Sequence, residues 1–65
     1  MDKLKQLTDL LQKKADLLYL LNRHSRNKER IWGNDEVGYQ NFVNAILDEI
    51  IDTDRQIQEL SQDDF

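Results

Sequence analysis

Residues 31–39 read IWGNDEVGY, and both glycines of the chain, Gly33 and Gly38, fall within this stretch. There is no proline, and nowhere else is the helical spacing of apolar residues broken by a conformational breaker. A chain with one breaker region forms two helices. Gly33 supplies a stop for the helix before it. Asn34 or Asp35 can accept hydrogen bonds from the free amides that open the helix after it, and Asp35 with Glu36 complements the positive end of that helix's dipole. Gly38 would fall in the first turn of the second helix, where it costs about 1 kcal/mol relative to alanine and predicts fraying.

Working outward, Leu4, Leu7, Leu11, Leu18 and Leu21 occupy the a and d positions of a heptad, with Leu10 and Leu17 widening the stripe on one flank. On the other side of the turn, Tyr39, Val43, Ile46, Ile50, Ile57 and Leu60 form a matching stripe flanked by Phe42 and Leu47. Neither half alternates with period two, which rules out strands. The pattern predicts helix 1 near 3–30, a turn over 31–34 and helix 2 near 35–62, each helix about 40 Å long. So short a connection makes the helices antiparallel neighbours. The expected fold is all-α, a two-helix hairpin forming one domain over 1–65.

Sixty-five residues bury only about 60% of their unfolded surface, so chains of this size lean on disulfides, a metal or association. The chain has no cysteine and one histidine, which leaves association and predicts no metal and no cofactor. The stripes are also wider than a two-helix seam requires, because a strict seam uses a and d alone. The reading is therefore a homodimer of hairpins, a four-helix bundle with helices crossing near 20°. Its self-association residues are Leu7, Leu11, Leu18, Leu21, Val43, Ile46, Ile50 and Ile57. The expected architecture resembles that of small plasmid-type RNA-binding hairpin dimers, with which the chain shares no motif. Lys14 interrupts the first stripe and Thr53 with Asp54 the second at the corresponding depth. A Lys14–Asp54 pair is reachable across the seam and would fix register and partner choice; alternatively Lys14 snorkels to the bundle edge.

Charge is divided unevenly. Residues 1–32 carry eight Lys or Arg against four Asp or Glu, a net +4, and residues 33–65 carry one against nine, a net −8. Residues 22–33, NRHSRNKERIWG, hold four of the cations with the only histidine and the only tryptophan. On a continuous helix Arg23, Arg26 and Arg30 fall within a sector of roughly 60°, away from the leucines. Fold stability does not require them there, and Arg26 and Arg30 repel slightly at i, i+4. They mark a partner-binding face, with Trp32 as a stacking platform or as a cap over the end of the core; the alternative is a solvated surface. Overall acidity disfavours nucleic acid relative to an acidic protein partner. Asp48, Glu49, Asp52 and Glu59 on the outer face of helix 2 form a solubilising surface that complements basic helix 1; the alternative is an imitation of a phosphate backbone that occupies a nucleic-acid site on another protein.

Catalysis finds little footing. His24 has no second metal ligand of its kind, and neighbouring Ser25 points about 100° away from it. The stretch ADLLYLLNR at 15–23 resembles the first helix of all-helical chorismate mutases, but the further helices that such an active site draws on have no counterpart here. Without a signal peptide or a long apolar run, the expectation is a soluble cytoplasmic protein with no membrane role and no small-molecule substrate. The function expected is non-enzymatic: a small regulator or adaptor binding through helix faces. Competing readings are an RNA- or DNA-binding hairpin dimer using the arginines, and an assembly or chaperone subunit whose apolar face a different protein covers.

Overall fold

The computed structural model describes residues 2–62. Helix α1 runs Asp2–Arg26, a short α2 runs Lys28–Trp32, and α3 runs Glu36–Gln62. The two long helices pack antiparallel as a rod 48 Å long and 15 by 12 Å across. The architecture is thus the all-helical hairpin that the single breaker region implies. One difference stands out: the first helix is not continuous to residue 30 but breaks at Asn27.

The break has a local cause. The Asn27 side-chain amide donates to the carbonyl of Arg23 at 2.8 Å, and the Asn27 backbone N–H donates to the same carbonyl at 3.1 Å. Asn27 itself sits at φ −113°, ψ 32°, outside helical values, and α2 starts after it. Asparagine is a weak helix former because its side chain competes for backbone groups in this way.

The turn follows the sequence closely. Gly33 adopts φ 58°, a left-handed backbone that glycine enters without steric cost, and its N–H closes α2 on the carbonyl of Glu29 at 3.0 Å. Asp35 caps α3, accepting a hydrogen bond from the Gly38 N–H at 3.0 Å. A Cβ at residue 38 would run into the Asp35 carboxylate, so Gly38 leaves room for the cap rather than merely weakening the first turn.

Between the long helices the inward row of α1 is Leu7, Leu10, Lys14, Leu17, Leu21 and His24, all partly buried. The facing row of α3 is Tyr39, Phe42, Val43, Ile46, Ile50, Thr53, Ile57 and Leu60. This seam is rotated from the heptad expected on α1: Leu10 and Leu17 lie in it, while Leu4, Leu11 and Leu18 are exposed. Ile46 is the one apolar residue that is buried among those described, and Thr53 is fully buried.

Thr53 is the weak point of the seam. Its hydroxyl has no hydrogen-bond partner, whereas the exposed Thr8 donates to the carbonyl of Leu4 at 2.9 Å. An unpaired buried hydroxyl costs about 1–3 kcal/mol. Thr53→Val keeps the branched shape and removes that cost. It should raise stability by about 1 kcal/mol, seen as a melting temperature higher by roughly 4–8 °C for a domain of this size.

Candidate functional site

The tip of the hairpin, where α1, α2 and α3 meet, gathers the unusual residues of the 22–33 stretch. The Trp32 indole N–H donates to His24 Nδ1 at 3.1 Å. Nε2 is then the nitrogen that carries the proton in the neutral ring. An unbroken helix would hold residues 24 and 32 about 12 Å apart along its axis; the break at Asn27 folds α2 back far enough for the two rings to meet. His24 also stacks on Phe42 with ring centroids 4.3 Å apart, and Trp32 lies 5.5 Å from Phe42 and 6.1 Å from Tyr39. Trp32 is half-buried in this cluster and its polar atom is used internally. It closes the end of the core, and His24 packs as an aromatic member of the seam.

Lys28, which the apolar spacing does not single out, ties α2 to α3. Its ammonium pairs with Glu36 at 3.1 Å and lies 4.9 Å from the centre of the Tyr39 ring. Both ends of the ion pair are over a third exposed, so the pair is worth about 1 kcal/mol or less. Lys28 and Glu36 are equidistant from Trp32 in sequence, and that symmetry about the turn was the available signal.

The arginines behave differently. Lys5, Lys13, Lys14, Lys28 and Arg55 each reach a carboxylate, at 2.8 to 3.8 Å. Arg23, Arg26 and Arg30 form no ion pair among the described residues, and all three are exposed. The break moves Arg30 onto α2, so the single-helix sector expected from spacing does not exist. The three nevertheless surround Asn27. Arg23 and Arg30 border one open cleft of about 320 Å³ with Asn27 and Ile31, and Arg26 and Arg30 border another of about 380 Å³ with Ser25 and Glu29. Guanidinium forks arranged about a cleft suit carboxylate or phosphate groups through paired hydrogen bonds.

Elsewhere, Lys14 and Asp54 pair at 2.8 Å near the middle of the rod. Leu7, Leu21, Val43, Ile46, Ile50 and Ile57 line the seam within the hairpin, so of the residues expected to carry self-association only Leu11 and Leu18 face outward. A cleft of about 500 Å³ opens between the helices near their free ends, lined by Gln6, Asp9, Leu10, Gln56, Glu59 and Leu60. Among the described residues no three His, Cys, Asp or Glu side chains converge to hold a metal, and no helix is long and apolar enough to cross a membrane. Docking of Phe65 on the bundle, which the apolar stripe suggests, lies outside the described residues.

No protein-family model, curated protein or solved structure matches the chain.

Replacing Trp32 with phenylalanine keeps an aromatic ring but deletes the donor to His24. The expected result is a fully helical protein less stable by about 1 kcal/mol, measured by urea unfolding followed by circular dichroism. An unchanged midpoint would show that the bond contributes nothing.

Proposed function

We propose that this protein is a small non-enzymatic regulator or adaptor that self-associates through its helix faces and binds an acidic protein at the arginine tip. The observation that supports the binding site is the lack of ion-pair partners for Arg23, Arg26 and Arg30 among the described residues, where Lys5, Lys13, Lys14, Lys28 and Arg55 all have carboxylates in reach. Arg23 and Arg26, like-charged at i, i+3 on α1, repel slightly, and a negatively charged ligand would offset that cost. Ile31, 44% exposed beside Arg23 and Arg30, adds an apolar wall. A protein segment with acidic and apolar side chains fits such a surface better than a phosphate backbone does, and the net charge of −4 works against nucleic acid.

Self-association is supported by the apolar surface that the hairpin leaves uncovered. Leu4, Leu11, Leu18, Leu47 and Ile51 are between 42% and 69% exposed, against a single buried apolar residue among those described. Helicity should accordingly fall on dilution through the micromolar range, since association adds to stability by mass action. Undiminished thermal stability of a monomer at low micromolar concentration would refute self-association.

The binding site is tested with Arg23→Gln, Arg26→Gln and Arg30→Gln combined. The variant should associate as the wild type does and lose capture of an acidic protein from a native lysate. Capture of nucleic acid instead, weakening steeply between 50 and 200 mM salt, roughly as counterion release requires, would replace the protein-partner reading. Wild-type capture by the triple variant would show the arginines to be a solvated helix end.

A further inference from the structure

Two ion pairs mark the two long edges of the seam. Lys13–Glu49, at 3.5 Å, spans one edge, and Lys14–Asp54, at 2.8 Å, spans the other. On the Lys13 edge the exposed neighbours are polar apart from Leu20 and the small Ala45: Asp9, Asp16 and Asp52, with Gln6. The Lys14 edge is the opposite. Leu11 and Leu18 lie at i−3 and i+4 from Lys14, Ile51 lies at i−3 from Asp54, and Leu47 lies one turn before Ile51, all exposed. The uncovered leucines of both helices therefore share one face of the hairpin.

Building on the self-association reading, we infer that this face is covered by a second copy of the chain, in an orientation that puts both arginine tips at the same end of the bundle. A rod 48 Å by 15 Å offers about 700 Å² per copy, close to the roughly 800 Å² per partner of a standard interface. Two hairpins can stack face to face about a twofold axis in two ways. With the axis along the rod, α1 lies on α3 of the partner and the tips coincide. With the axis across the rod, α1 lies on α1, α3 lies on α3, and the tips point apart.

Charge selects the first arrangement. The half of the chain containing α1 carries net +4 and the half containing α3 carries net −8. Stacking α1 on the partner's α3 joins opposite charges along both contacts, whereas the crossed arrangement lays acidic α3 on acidic α3.

Apolar register is compatible with it. Stacking along the rod preserves the levels at which His24 meets Phe42 and Lys14 meets Asp54 within one copy. Leu18 then falls between Leu47 and Ile51 of the partner, and Leu11 falls just beyond Asp54 of the partner. In the crossed arrangement an axis that sets Leu11 on Leu11 carries Ile51 onto Glu59, and one that sets Leu47 on Ile51 carries Leu11 onto Arg23. An axis midway between Leu11 and Leu18 does better, setting Leu11 on the partner's Leu18 and Ile51 within one residue of the partner's Ile51, but it also brings the two Lys14 ammonium groups together, so charge and not apolar packing decides against it. The favoured arrangement also brings Lys14 of each copy beside Asp54 of the other, so the polar layer lies at the centre of the interface, and it presents two arginine tips side by side to one partner.

The chain has no cysteine, so Asn34→Cys, in the exposed turn, carries a single spin label. Pulsed dipolar spectroscopy of the full-length protein should give one tip-to-tip distance of roughly 25 Å, a bundle width plus the label arms. In the same experiment Leu18→Asp should abolish the dipolar signal. A distance of about 40 Å or more, the length of a 27-residue helix, would overturn the orientation while leaving self-association standing. A monomer with no dipolar signal would overturn self-association too, and a signal undiminished by Leu18→Asp would show that a different face is used.

Discussion

Two cylinders laid side by side touch along a line, and every other feature of this molecule adapts to that restriction. An α-helix with its side chains is about 10–12 Å across, so a neighbour on one side covers only a strip of it. Here the strip on α1 is Leu7, Leu10, Lys14, Leu17, Leu21 and His24, and those residues are only partly buried. Ile46 and Thr53 alone, among the described residues, lose nearly all contact with solvent. The chain carries more large apolar side chains than one strip can hide. Burial at about 25 cal/mol per Å² is therefore left unrealised on the Lys14 face, and stability and association draw on the same residues.

The seam is held by different forces along its length. At the tip, aromatic rings stack and one ring-to-ring hydrogen bond locks α2 to α1. Toward the middle, Ile46 and Ile50 pack against the leucines of α1, and Lys14 and Asp54 pair just beyond them beside a threonine whose hydroxyl goes unanswered. Near the free ends the helices leave an open cleft beside Leu10 and Leu60. Apolar packing could replace the polar layer at little cost in stability or with a gain, so its presence fits a role in setting how helices align, beyond holding them together.

The hairpin was legible because its signals are local and redundant: two glycines in one stretch, Asp35 as a cap, and apolar stripes on both sides. The Lys14–Asp54 contact was legible for a related reason, since a short turn fixes which depths face each other. The choice of seam on α1 was not. Positions 4, 7, 11, 14, 18 and 21 keep the 3–4 spacing, and so do 7, 10, 14, 17, 21 and 24. Leucine fills most of both sets, and they share Leu7, Lys14 and Leu21. What separates them is His24, which belongs to the seam once Phe42 and Trp32 are packed against it, and a single histidine carries no such label in the sequence. The Asn27 break escaped because periodicity does not register a side chain competing for a carbonyl. Arg23, Arg26 and Arg30 were visible as a cluster. Their grouping around a break, and their lack of ion-pair partners among the described residues, needed the positions of the carboxylates.

The turn at Gly33 also bears on the order in which the chain acquires its structure. Closing a loop costs conformational entropy that grows with the number of residues enclosed. His24 and Trp32 are eight residues apart, Lys28 and Glu36 likewise, while Lys14 and Asp54 enclose about forty. Loop entropy thus favours contacts at the tip before those in the middle, and the middle before the free ends, so the helices zip together from the aromatic cluster outward. A chain still being synthesised cannot start this zipper until Tyr39 and Phe42 have emerged. Until then α1 has only Trp32 to pack against, and its leucines are open to whatever apolar surface they meet first.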